Sequence, residues 1–388
     1  MDTSNQPGLS AKNTAAALEP VIASVIIPVY NSANSIAEAL NSVLAQTFSR
    51  YEIIVVNDGS PDTPLLERAL EPFRQRISYI QQENQGPSGA RNAGILAARG
   101  KYVAFLDSDD RWLPGHLTSQ IEFLESRPSL ALVYADAMLT VDDIPVRTYF
   151  ESCPQARPVT FESLVKEESS VITSATVALR EALITAGMFD NQFRRCEDFD
   201  LWTRIVHCGY QIDYTPQVQI VHRSRNGLSS DAESMKRSLV AVYEKMALTL
   251  PISTAQRDLI LARRARAEAD LQLELCRKFV LQGEYRQALA AARSARLVFH
   301  GWKMNLLVLS LVTAPRPFAM IYRVYARYLA NRNRSRLNQM KLGMDAETKR
   351  SSPSAAGGGG IPGFGPETDK THSVEEKVGT IHSEVRGE

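Results

Sequence analysis

The sequence predicts an α/β fold, a mostly parallel sheet flanked by helices, followed by a helical C-terminal extension and a disordered tail. Three observations predict it. Short runs rich in Val, Ile and aromatic residues recur at residues 24–29, 51–57, 77–81 and 101–106. Helical patterns lie between them, and alternation of the two implies parallel pairing, because each crossover must carry the chain back over the sheet. Beyond residue 232 the strand signal stops and segments rich in Ala, Leu, Arg and Glu take over.

The helix after the first strand is expected over residues 35–46, where Ile36, Ala39, Leu40, Val43 and Leu44 share one face. Another is expected over 88–99, with Ala90, Ala93, Gly94 and Ala97 along one side, small enough to let helix and sheet approach closely. Residues 130–135 read as a further strand, and the pattern then loosens over 142–158. It resumes as a strand at 171–179, a short helix from Arg180, the segment 191–208, and strands at 211–214 and 218–221. Helices at 257–281 and 285–297 flank Gly283, the expected turn.

Residues beyond Lys349 hold too little apolar surface to offset ordering entropy. Gly358, Gly360 and Gly363 match a GxGxxG spacing there, but they follow no strand and open no helix, so the dinucleotide reading fails. The organisation expected is a disordered N-terminus over 1–20, an α/β domain over 21–231, a helical region over 232–345 and a disordered tail over 346–388.

Bulk properties exclude several classes. The 388 residues exceed what one core usually fills, so one large domain with an appendage is expected. A net charge of +1 gives no global reason for a nucleic-acid partner. Cys153, Cys196, Cys208 and Cys276 form no CxxC pair, which argues for reduced thiols in a cytoplasmic protein. Residues 1–20 have neither a basic n-region nor an apolar h-region, so they do not read as a secretory signal. The longest apolar stretch, 304–314, falls short of the ~20 residues that span a bilayer. One local anomaly remains: residues 301–344 contain no acidic side chain, while Lys303, Arg316, Arg323 and Arg327 begin a series of cations.

Ligands of parallel sheets bind beyond the carboxyl ends of the strands. Polar residues cluster there: Pro28-Val-Tyr30-Asn after the first strand, Asn57-Asp58-Gly-Ser after the second, and Asp107-Ser-Asp109-Asp110 after the fourth. Three carboxylates crowded at the end of a buried strand repel one another and ask for a cation, and carboxylate oxygens suit a hard divalent ion. An acidic turn capping the next helix is the alternative. Asp58 is either a turn residue or an acceptor for a uracil imide or a ribose hydroxyl. Gly86 to Asn92 opens a helix through Gly89, a geometry that favours anions, and Arg91 one turn in is placed to grip a diphosphate or to sit in solvent. Glu197-Asp198 before Phe-Asp-Leu-Trp202 is either a helix-start charge preference or a catalytic base.

In order, Ser24-Val-Ile-Ile-Pro-Val-Tyr-Asn31, Val56-Asn-Asp-Gly-Ser60, Asn84-Gln-Gly-Pro-Ser-Gly-Ala-Arg-Asn-Ala-Gly94, Phe105-Leu-Asp-Ser-Asp-Asp-Arg-Trp112 and Cys196-Glu-Asp-Phe-Asp-Leu-Trp202 resemble the motifs of family 2 glycosyltransferases. The resemblance spans residues 22–230 and implies the GT-A fold, a Rossmann-like sheet. It implies that Pro28, Tyr30, Asp58, Gly89, Arg91 and Asp107 bind the nucleotide sugar, with Tyr30 and Asp58 on the base and Arg91 on the diphosphate. It further implies that Asp107 and Asp109 hold ribose and Mn²⁺ or Mg²⁺, and that Asp198, beside Glu197, is the base. The family pattern has a His five residues before a closing Ser; counting back from Ser229 reaches Ser224, and His222, the remaining metal-ligand candidate, sits two residues earlier.

The function so implied is inverting transfer from a nucleotide sugar, UDP-linked, to a hydroxyl of a glycan or lipid-linked acceptor in cell-surface polysaccharide synthesis. Transfer to a polyprenyl phosphate is the nearest competitor, and needs no strong base. The basic, partly apolar segment 301–341 suggests peripheral contact with the inner face of a membrane, or else a helical pack on the catalytic domain through Tyr322, Tyr325 and Tyr328.

Overall fold

The computed structural model describes residues 20–153, 155–224 and 231–350. Residues 1–19, the GxGxxG glycines and everything after Arg350 lie outside the described residues, and with them most of both segments expected to be disordered.

Strands β1 (Ala23–Val29), β2 (Tyr51–Asp58), β3 (Ser78–Gln82) and β4 (Tyr102–Phe105) pair in parallel in the order β3-β2-β1-β4. Helices α1 (Ile36–Leu44), α2 (Thr63–Leu70) and α3 (Gly86–Ala97) make the crossovers. The two-residue period of β1 feeds two cores: Val25, Ile27 and Val29 pack with Ile36, Leu40 and Val43 of α1, while Ile26 packs on the opposite face with Ala90 and Ile95 of α3. The small residues of α3 act as their spacing implied, since a Cβ on Gly94 would lie 2.4 Å from Ile26 Cγ2.

The rest of the α/β region comprises β5 (Arg111–Trp112), α4 (His116–Glu125), β6 (Leu130–Val141), β7 (Ile144–Thr148), α5 (Tyr149–Ser152), α6 (Phe161–Val165), β8 (Thr176–Leu179), α7 (Arg180–Thr185), α8 (Glu197–His207) and β9 (Gln211–Ser224). β8 lies antiparallel between β4 and β6, and β9 runs parallel to β6, so six of the nine strands among the described residues point the same way.

Three elements differ from the sequence expectation. Residues 142–158 are not a loose stretch throughout, because β7 folds back on β6 through Asp142 and Asp143 at φ 51° and 63°. The strand expected at 171–179 begins as a 3-10 turn, Thr173–Ala175. The two strands expected at 211–214 and 218–221 are one, β9, whose register against β6 slips between Ala135 and Asp136; the slip accommodates Pro216, which has no N–H to give the ladder.

After Asp231, whose side chain caps the first turn, come α9 (Ala232–Thr249), α10 (Thr254–Gln282), α11 (Tyr285–Arg296), α12 (Trp302–Thr313) and α13 (Pro315–Arg350). Gly283, at φ 85°, ends α10 as the expected turn. Val242, Tyr243 and Met246 of α9 share a core with Phe161 and Val165 of α6. Lys245 adds ion pairs to Asp190 (2.6 Å) and to buried Asp200 (2.9 Å) of α8. The chain divides at Asn338 into two units, and the described part of the second, residues 339–350, continues α13.

Candidate active site

Parallel pairing brings the ends of β1, β2 and β4 to one edge, with Val29 opposite Asn57. The loops beyond are tied together: the Asn31 N–H donates to Ser60 Oγ (2.6 Å) and the Ala33 N–H to Asp62 Oδ2 (2.9 Å). Tyr30 stands at this rim, 54% exposed, and Pro28 is half-buried within β1.

Asp58 is buried, and Oδ1 accepts from Gln82 Nε2 and from the Gln85 N–H, both at 2.8 Å, while Oδ2 accepts from the Gly86 N–H at 2.8 Å. The carboxylate therefore fixes the start of α3, and one acceptor position on Oδ2 remains. Gly59, at φ 64°, allows this turn, since a Cβ would lie 2.8 Å from the Asn84 N. Gly89 serves the same packing: a Cβ there would lie 2.4 Å from Gln85 Cβ.

The structure places Arg91 otherwise than as a surface grip on a diphosphate. Its side chain is 7% exposed, Nη2 donates to Asp107 Oδ1 (2.8 Å), and Nη1 donates to Glu197 Oε1 (2.6 Å). The guanidinium also lies over the Phe189 ring, 5.4 Å from its centroid. Burial opposes its charge, but Asp107 and Glu197 more than compensate and hold it protonated. Both terminal nitrogens are thus engaged, one to the loop after β4 and the other to the first turn of α8. Glu197 is likewise buried, against Arg91. Burial and the Asp198 charge raise its pKa, and Arg91 opposes them.

Asp198, the next residue, is half-buried; Oδ2 accepts from Thr173 Oγ1 (2.9 Å) and Oδ1 from the Phe199 N–H (2.8 Å). Ser174, the neighbour of Thr173, accepts at Oγ from the Asp107 N–H (3.1 Å) and presents its carbonyl to Trp112 Nε1 (2.8 Å). One 3-10 turn thus braces both the acidic loop and the Glu197-Asp198 pair.

Asp110 is fully buried, with Oδ2 2.9 Å from His222 Nδ1 and Oδ1 accepting from the Arg223 N–H (3.0 Å). Burial lowers the His222 pKa, but the Asp110 contact and the charges of Asp107 and Asp109 push it up to about 9. Asp109 is half-buried and pushed up to about 6 by desolvation and by Asp110 and Asp107.

Among the described residues no three His, Cys, Asp or Glu side chains converge as a ready metal site. The expected trio of Asp107, Asp109 and His222 is therefore not preassembled, because Asp107 is turned to Arg91 and His222 to Asp110. The arrangement fits instead a cation that brings its own phosphate oxygens, for which one or two carboxylates suffice. Asp109 and Asp107 would hold it, and the negative charge crowded on Asp109 is what it would relieve.

The pattern described as Glycosyl transferase family 2 matches residues 24–183. A protein of Escherichia coli, UDP-Glc:alpha-D-GlcNAc-diphosphoundecaprenol beta-1,3-glucosyltransferase WfgD, is 30% identical over 202 residues, which make up 50% of this chain and 76% of WfgD. The chain belongs to glycosyltransferase family 2.

The succinoglycan biosynthesis protein ExoO of Rhizobium meliloti is 33% identical to this glycosyltransferase over 211 residues, 52% of the chain. The chain spans 60% of ExoO and 58% of an uncharacterized glycosyltransferase of Rickettsia typhi, less than two thirds of either. The fold is GT-A, shared with S. aureus TarS 1-349 in its crystal structure with UDP-GlcNAc. The TM-score is 0.55 at 22% identity, covering 78% of this chain and 87% of TarS 1-349.

The glycosyltransferase motifs leave three contributors unread: Asp110 as the partner of His222, and Thr173 and Ser174. The signal for the last two is the polar run Thr173-Ser-Ala-Thr176 inside an otherwise apolar segment.

Proposed function

We propose that this glycosyltransferase transfers a sugar from a nucleotide-sugar donor, UDP-linked, to a hydroxyl of a glycan or lipid-linked acceptor in cell-surface polysaccharide synthesis, with inversion. The observation that carries the reading is the 3-10 turn that joins Asp198 to Asp107: Thr173 holds the first and Ser174 the second, at 2.9 and 3.1 Å. A base and the acidic, cation-seeking loop are thereby held at a fixed separation, as an in-line displacement requires.

Tyr30 directly follows β1 and Asp58 ends the adjacent β2, so the ring would offer a face to the nucleobase while the spare Oδ2 position accepts its imide N–H. Asp198 takes the proton of the acceptor hydroxyl as that oxygen attacks the anomeric carbon from the face opposite the leaving group. No protein nucleophile takes part, so the configuration inverts. Glu197 and Arg91 act as positioning residues beneath the reaction. Asp109 and Asp107 would hold a divalent cation, which when bound would supply charge neutralisation for the departing nucleoside diphosphate.

The test is a release assay on the full chain over a panel of nucleotide sugars, with and without Mn²⁺, reading free nucleoside diphosphate. The reading expects Mn²⁺-stimulated release from a UDP-sugar, increased by a hydroxyl acceptor. Release only with a polyprenyl phosphate acceptor would transfer the assignment to that chemistry, and no release from any donor would remove it.

A further inference from the structure

We propose that α12 and α13 form a docking face for an anionic lipid surface, on which they lie without crossing it. Of twenty large apolar side chains exposed among the described residues, eleven fall between Leu297 and Tyr328. These helices are apolar on two sides. Val308 and Leu311 of α12 and Ala319 of α13 are buried against Ala288 and Ala292 of α11. The opposite side of α12 presents Trp302, Leu306 and Leu309, spaced by four and three residues, and that of α13 presents Ile321, Val324 and Tyr328. The inner face satisfies the packing that the helices need for folding, so a second apolar face on a polar-solvated protein has no folding role to explain it.

Charge decides the occupant. Residues 301–344 contain no acidic side chain. Arg316 and Arg327 are exposed on α13, eleven residues apart, beside the apolar row, whereas Arg323 between them donates from Nη2 to the Leu281 carbonyl of α10 (2.8 Å). A second copy of the chain would bring the same cations against them, whereas a bilayer with anionic headgroups complements the arginines and accepts the apolar row below. Trp302 and Tyr328 combine an apolar ring with a polar atom, the pairing that settles at the headgroup boundary. No described helix is long and apolar enough to cross a membrane, which leaves the interfacial mode. This inference stands independently of the donor and acceptor proposed above.

The experiment is co-sedimentation of the full chain with phosphatidylcholine vesicles, alone or containing about one third phosphatidylglycerol. Binding is expected on the anionic vesicles and not on the neutral ones. Arg316→Gln and Arg327→Gln should each lower partitioning about fivefold. The double change Ile321→Ser with Val324→Ser should abolish it while leaving the thermal unfolding midpoint unchanged, which separates docking from folding. Equal sedimentation with both vesicle types, or none with either, overturns the proposal. So does sedimentation velocity that shows a dimer which this double change dissociates.

Discussion

Arg91 Nη2 lies 2.8 Å from Asp107 Oδ1, and through this contact a buried cation anchors the acidic loop from below. The same guanidinium reaches Glu197, so the loop after β4 and the first turn of α8 share one fixed point. Truncating a buried cation strands its carboxylates in a poorly solvating interior, a loss of ~3–5 kcal/mol. Arg91→Met is therefore expected to lower unfolding free energy by about that much. Arg91→Met with Glu197→Gln should recover part of it, because one stranded charge is gone. Denaturant unfolding of the wild type, the single and the double variant measures this, and a single-variant loss below ~1 kcal/mol would speak against the buried bridge.

Asp198→Asn should reduce the rate of transfer by ~10²–10⁴-fold while nucleotide affinity is retained, since only proton removal is lost. Thr173→Val leaves the carboxylate but frees its orientation, so a smaller fall in kcat, up to about 10²-fold, is expected. Initial rates alongside nucleotide titrations check both. An Asp198→Asn enzyme with ordinary turnover would remove the base assignment.

His116 is buried, packs tilted at 40° against Trp112 with ring centroids 4.5 Å apart, and has no hydrogen-bond partner at either ring nitrogen among the described residues. Burial pulls its pKa down to about 3 from 6.5. Between those values the unfolded chain binds a proton there and the folded chain does not, so this group's contribution to stability falls as pH falls through the window. The slope is ~1.4 kcal/mol per pH unit for one proton. His116→Phe should flatten the acid side of the stability profile by that amount. Superimposable profiles for the two proteins would contradict the neutral, buried imidazole.

The parallel half of the fold and its acidic strand ends were legible in the sequence because local rules govern them. Val25 and Ile27 alternate with Ile26, and Gly94 lies where a helix must touch Ile26. Arg91 was not legible in the same way. Its position on a helix is local information, but burial depends on α8 arriving from over a hundred residues later to supply Glu197. The hairpin of β6 and β7 escaped because Asp142-Asp143 adopts positive φ without the glycine that usually announces such a turn. Pro216 misled in the other direction: it marks a break in sequence, yet β9 passes through it at a register slip. The apolar second face of α12 and α13 follows from their three-to-four spacing only once Val308 and Leu311 are known to point inward.

The central claim is that a nucleoside diphosphate and a divalent cation bind together at the Asp107–Asp109 loop. Isothermal titration of UDP into the wild-type chain and into Asp109→Asn, each with Mn²⁺ and with chelator, tests it most directly. Wild-type affinity should fall at least about tenfold on chelation, equivalent to ~1.4 kcal/mol, and Asp109→Asn should bind weakly in both conditions. Equal affinity across all four titrations would contradict the account.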